Sequence, residues 1–135
     1  MDPWRRLARA MTFGTAAMRL WRLTLLLLAI GVTWLALSPM PPASMTLGWD
    51  KLNHAGAFAA LGLSGHLGFP GRRTALWVIA AGLAFGGLIE VLQLFVPGRS
   101  SEWTDLLADL VGLACGALVA MGVIKAARSL PALDL

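Results

Sequence analysis

Three short polar stretches interrupt an otherwise apolar chain of 135 residues, and their side chains are those of acid–base chemistry or ligand binding. Asp50-Lys51-x-x-His54 sets an acid, a cation and an imidazole within about one helical turn. Glu90-x-x-Gln93 places a carboxyl and an amide three residues apart, and Asp105-x-x-x-Asp109 places two carboxyls four apart, so each pair shares a helix face. Between the last two stretches runs Val96-Pro97-Gly98-Arg99-Ser100-Ser101-Glu102. Proline cannot continue a helix and glycine supports the turn after one. Two antiparallel helices would therefore meet at a polar elbow tipped by Arg99, and that elbow is the candidate functional site.

The candidate catalytic groups are Glu90, His54 and Asp105. With one histidine in the set, a hydrolase would use a carboxylate as base or nucleophile. Arg99 with Lys51 would form a clamp for a phosphate at the membrane surface, since guanidinium binds phosphate in a bidentate manner. A blander role stands beside each of these. Glu90 paired with Lys51, Arg99 or His54 would only lock helices together, and Arg99 would only snorkel. Five carboxyls (Asp50, Glu90, Glu102, Asp105 and Asp109) face two cations, so full ionisation in a low-dielectric pocket requires bound protons or a cation. Asp109 is accordingly expected as a neutral acid donating to Glu90 or Gln93. No compact metal-ligand spacing, P-loop, HExxH or paired CxxC occurs, and no metal or cofactor is assigned.

These residues need elements to hold them, and composition says which. Hydrophobic residues make up 58% of the chain and charged ones 13%, about half the share usual in soluble domains. A domain this small cannot hide such a surplus in its core. The apolar runs predict four membrane-spanning helices near 21–37, 52–69, 74–96 and 103–124, an all-α integral membrane bundle. The first run is read as a retained helix, because Pro39 would follow the small-residue site Ala36-Leu37-Ser38, the segment before the run is long and the rest of the chain is itself apolar. Asp50 is a good N-cap for the second, and Ala57, Ser64 and Gly68 continue its His54 face. Gly82-x-x-x-Gly86 and Gly112-x-x-x-Gly116 suit close backbone approach between helices. Residues 1–20 form a basic, amphipathic segment or a tail that fixes orientation, and 125–135 a short tail.

The net charge of +4 does not point to nucleic acid, because the basic residues lie at the ends of apolar runs. Of eleven Lys and Arg, nine fall at the N-terminus, the 70–73 turn or the C-terminal end, leaving Lys51 and Arg99 opposite. The positive-inside rule then places both termini in the cytoplasm. The single cysteine, Cys115, excludes an internal disulfide and reads as a small buried packing residue.

In its order of Asp50-Lys51-x-x-His54, Glu90-x-x-Gln93-x-x-x-Pro97-Gly98-Arg99-Ser100 and Asp105-x-x-Ala108-Asp109-x-x-Gly112, the chain resembles the VanZ-like family over most of residues 50–120. The resemblance implies a bacterial envelope protein of the cytoplasmic membrane, in a family associated with low-level teicoplanin resistance. It implies no particular reaction. Carried over by motif, the matching ligand-binding positions are Asp50, Lys51, His54, Glu90, Gln93, Arg99, Ser100 and Asp105. Asp109 stands where the family commonly has asparagine, and a protonated Asp109 would keep one donor and one acceptor. The expected partners are membrane lipids and a lipid-linked, anionic or glycopeptide ligand at the outer leaflet. An intramembrane enzyme and a structural module are the competing readings.

Overall fold

The computed structural model describes Pro3, residues 14–39 and residues 49–129. Among them lie four helices and no strand: α1 (Thr15–Leu37), α2 (Asp50–Gly68), α3 (Arg72–Gln93) and α4 (Trp103–Arg128). The N-terminal basic segment up to residue 13 (Pro3 apart), residues 40–48 of the segment between α1 and α2, and residues 130–135 of the tail lie outside the described residues. The bundle is all-α, and α1, α3 and α4 are each long and apolar enough to cross a membrane.

The boundaries differ from the apolar runs for local reasons. α1 begins at Thr15 and includes Arg19 and Arg22, whose charged ends do not interrupt a helix. α3 stops at Gln93, and Leu94–Val96 form a turn rather than the last helical residues. Val96 precedes a proline, and that position disfavours helical backbone. Gly98 then turns the chain with a left-handed φ of 79°, which glycine adopts without strain. Asp50 is the first helical residue of α2 rather than its N-cap, which is Trp49. Its carboxyl still meets the positive end of the helix dipole.

α2 has 19 residues, ~28 Å at about 1.5 Å per residue. It is less apolar than the other three because it carries Asp50, Lys51, Asn53, His54, Ser64 and His66. Its neighbours hold it at both ends: Lys51 bonds to Asp105 of α4 at 2.9 Å, and Arg22 of α1 donates to Gly68 O at 2.9 Å. The four helices thus alternate in direction, with α2 shielded among the others. Every residue from Ser64 to Gly68 is buried.

The tightest pairing is α2 against α4, and glycine makes it. A Cβ at Gly112 or Gly116 would strike the backbone of Ala55, Ala59 or Leu63, and one at Gly62 would meet Leu113 O at 2.7 Å. Gly82 and Gly86 work differently from the expectation of backbone contact. They leave room for side chains of α4: Leu113 fills the space at Gly82, and the Asp109 carboxyl that at Gly86. Phe58, Leu61 and Leu113 form the core, flanked by Leu25, Leu28, Ala29 and Val32 of α1 and by Leu83 and Phe85 of α3. Outward positions such as Leu27, Trp77 and Leu118 are apolar and exposed, as a lipid-facing surface requires. Cys115 is among the exposed positions, not buried.

Candidate functional site

Helix ends leave backbone groups without partners, and at one end of this bundle other helices supply them. The last carbonyls of α1 are taken by the elbow. Arg99 donates from Nη2 to Leu35 O at 2.6 Å and from Nε to Ser38 O at 3.0 Å. Gln93 donates from Nε2 to Ala36 O at 3.1 Å. At the start of α4 the carboxyl comes from α3: Glu90 Oε2 accepts from Ser101 Oγ at 3.0 Å and from the Glu102 N–H at 2.9 Å. A negative charge is favoured there, at the positive end of the helix.

Lys51 closes the gap between α2 and α4. Its Nζ donates to Glu102 Oε2 (2.9 Å), Thr104 Oγ1 (2.8 Å) and Asp105 Oδ1 (2.9 Å), which uses all three of its N–H groups. The ammonium holds the Glu102 carboxyl below the usual carboxylate range through that hydrogen bond, with Thr104 adding to the effect. Asp105 is buried, and Glu102 is half exposed.

His54 occupies the centre. Its ring stacks over Phe58 at 6.4 Å, and Nδ1 lies 2.8 Å from Asp109 Oδ1. Nε2 stands 3.9 Å from Glu90 Oε1 and 3.9 Å from Asp105 Oδ2. Asp109 is fully buried, and its Oδ2 rests against Gly86. Asp109 therefore partners His54 rather than Glu90 or Gln93, because α2 approaches α4 more closely than α3 does. Three buried oxygens have no hydrogen-bond donor among the described residues: Glu90 Oε1, Gln93 Oε1 and Asp109 Oδ2.

Of the nine positions expected at the site, Lys51, His54, Glu90, Asp105 and Asp109 form one connected cluster. Asp50 lies at its exposed rim, where it, His54 and Asp105 each place a ligand atom within 4.8 Å of the others. Gln93 and Arg99 are turned toward α1, and Ser100 is on the surface of the elbow. Ser101 of the elbow and Thr104 of α4 also belong to the cluster, and sequence reasoning missed both, because a hydroxyl in a loop or a first helical turn carries no mark of its partner. Glu102 is the partner that a counter-charge search around Lys51 would find.

A histidine oriented at one nitrogen by a carboxylate, with its other nitrogen facing two more carboxyls, suits either proton transfer or ligand coordination. His66, the second histidine, bonds Gly62 O at 2.7 Å within α2 and takes no part. A family model described as VanZ/LLP1 matches residues 11–125, which takes in α1 as well as the polar elbow. No curated protein and no solved structure matches the chain.

Proposed function

Because the chain belongs to the VanZ/LLP1 family, we propose that it is a multi-pass protein of the bacterial cytoplasmic membrane whose polar elbow binds the headgroup of a lipid-linked or glycopeptide ligand at the outer leaflet. The convergence of four helix ends carries this reading. It sets buried and rim-exposed polar groups beneath exposed Trp49, Phe95 and Trp103, residue types at home where membrane meets water. An apolar cavity of about 350 Å³, lined by Leu25, Leu61, Phe69, Thr74, Trp77 and Phe85 among others, lies toward the 70–73 turn, away from the elbow, and is not part of this site. The site is rich in acceptors, and at this end Lys51 and Arg99 already have protein partners. A headgroup presenting hydroxyl or ammonium donors therefore fits better than a bare anion.

Mass spectrometry of lipids extracted from the purified protein tests the reading. The expected result is enrichment of one such lipid over the bulk membrane, reduced when Asp50→Asn and Ser100→Ala are combined. A lipid profile matching the bulk membrane, with no teicoplanin binding by calorimetry on the same sample, overturns it. The second reading is an intramembrane enzyme acting on the same ligand, favoured by the His54–Asp109 pair. Product formed by the wild type and lost in Glu90→Gln would establish it.

Both termini are proposed to be cytoplasmic, on the distribution of Arg and Lys. In a Cys115→Ala background, Ser100→Cys is expected to react with an impermeant maleimide in intact cells, and Arg73→Cys only after permeabilisation. The opposite pattern overturns the orientation.

A further inference from the structure

We propose that His54 Nε2, Glu90 Oε1 and Asp105 Oδ2, with Asp50 at the rim, form a binding site for one divalent cation of the zinc class. The inference goes beyond the ligand reading and stands on separate observations. The first is spacing. Nε2 is 3.9 Å from each of the two carboxyl oxygens. That is too long for a hydrogen bond; zinc bonds nitrogen and oxygen at about 2.0–2.2 Å, which in a tetrahedral site sets ligand atoms roughly 3.3–3.6 Å apart, so an ion would draw each carboxyl a few tenths of an ångström toward His54.

The second is Glu90 Oε1, an acceptor in a residue more than nine-tenths buried and without a donor among the described residues. An orphaned carboxyl oxygen in a low-dielectric site is costly unless something positive faces it. The oxygen lies on the His54 side of the carboxyl, while Oε2 is committed to Ser101 and Glu102. A cation beside His54 would satisfy Oε1 and the free imidazole nitrogen together.

The third is the environment of the histidine. A metal-binding imidazole usually donates its other N–H to a carboxylate, which fixes the tautomer and strengthens the ligand. Asp109 holds that place, 2.8 Å from Nδ1, leaving the Nε2 lone pair toward Glu90 and Asp105. Asp105 divides its oxygens in a compatible way, with Oδ1 on Lys51 and Oδ2 facing His54. Asp50 places a carboxyl oxygen within 4.8 Å of ligand atoms of His54 and Asp105, so a small side-chain rotation would bring it to the ion from the water side. One imidazole with carboxylates favours zinc, cobalt or manganese over calcium and magnesium, which take oxygen ligands.

The test uses the full chain in detergent, stripped with a chelator, desalted, and titrated with Co²⁺ and Zn²⁺. One cobalt per chain is expected, with visible absorption of a four-coordinate nitrogen–oxygen site that zinc displaces and excess Mg²⁺ does not. His54→Asn and Asp105→Asn should abolish the absorption, and Asp109→Asn should weaken binding about 10–100-fold. His66→Gln should bind as the wild type does. No stoichiometric cobalt on folded wild-type protein overturns the proposal, whatever the variants do. So does displacement by Mg²⁺, or an unchanged spectrum in folded His54→Asn. Cobalt binding without lipid enrichment removes the ligand reading and leaves this one standing, and the converse removes this one alone.

Discussion

Gly116→Leu is expected to abolish the folded bundle. The Cβ alone would drive into Ala59 O and Leu63 N, which are backbone atoms that no rotamer change can clear. Overpacking in a core that can yield costs roughly 1–3 kcal/mol. Here α2 and α4 must separate instead, and the Lys51–Asp105 and His54–Asp109 contacts part with them. The measurement is thermal melting of the helix signal in detergent, with the yield of monodisperse protein beside it. Gly122→Leu is the control, since nothing lies within 4 Å of a Cβ at that position. Equal melting of Gly116→Leu and the wild type would refute the close α2–α4 contact.

Asp109→Leu carries the second large effect. Asp109 is fully buried, and its loss strands the His54 Nδ1–H, at a cost of roughly 1–3 kcal/mol. Asp109→Asn keeps an oxygen acceptor toward His54 and should cost less, although its amide N–H₂ would then sit against Gly86 in place of Oδ2. Imidazole nitrogen shifts from NMR check the mechanism separately from stability. A single tautomer of His54 is expected in the wild type and in Asp109→Asn, and a mixture in Asp109→Leu. A single tautomer in all three would show that Asp109 does not orient the ring.

Both predictions rest on features of unequal legibility in the sequence. The all-helical architecture followed from apolar run length, and the break at Pro97-Gly98 from proline and glycine chemistry. Gly112 and Gly116 pointed correctly to close backbone approach, because α4 meets α2 along that face. The same spacing at Gly82 and Gly86 had a different cause, since a small residue leaves room equally for a backbone or a bulky side chain. Arg99 shows the limit best. Its exposed-looking place at the elbow suggested a phosphate clamp, yet it serves the carbonyls of Leu35 and Ser38. Backbone carbonyls are present at every residue, so nothing in the sequence marks which ones wait for a donor. Asp109 does rest against α3, at Gly86, but its partner is His54 of α2 rather than Glu90 or Gln93, because the periodicity of one helix gives its face but not which neighbour meets it there. Cys115 was misplaced for the same reason, on a helix whose apolar residues run all the way round.

The donors that finish α1 lie 57 to 64 positions further along the chain, in Gln93 and Arg99. Synthesis runs from the N-terminus, so α1 is the first of the four helices to leave the ribosome, yet its C-terminal end waits for donors that follow α2 and nearly all of α3. While α2 and α3 are being made, its final carbonyls must be met by water or lipid headgroups at the interface. Only when the elbow emerges can guanidinium and amide replace them. A nascent chain halted before Gln93 would therefore hold α1 without fastening its C-terminal end, and the arrival of Arg99 would fasten it before α4 is made and packs against α2.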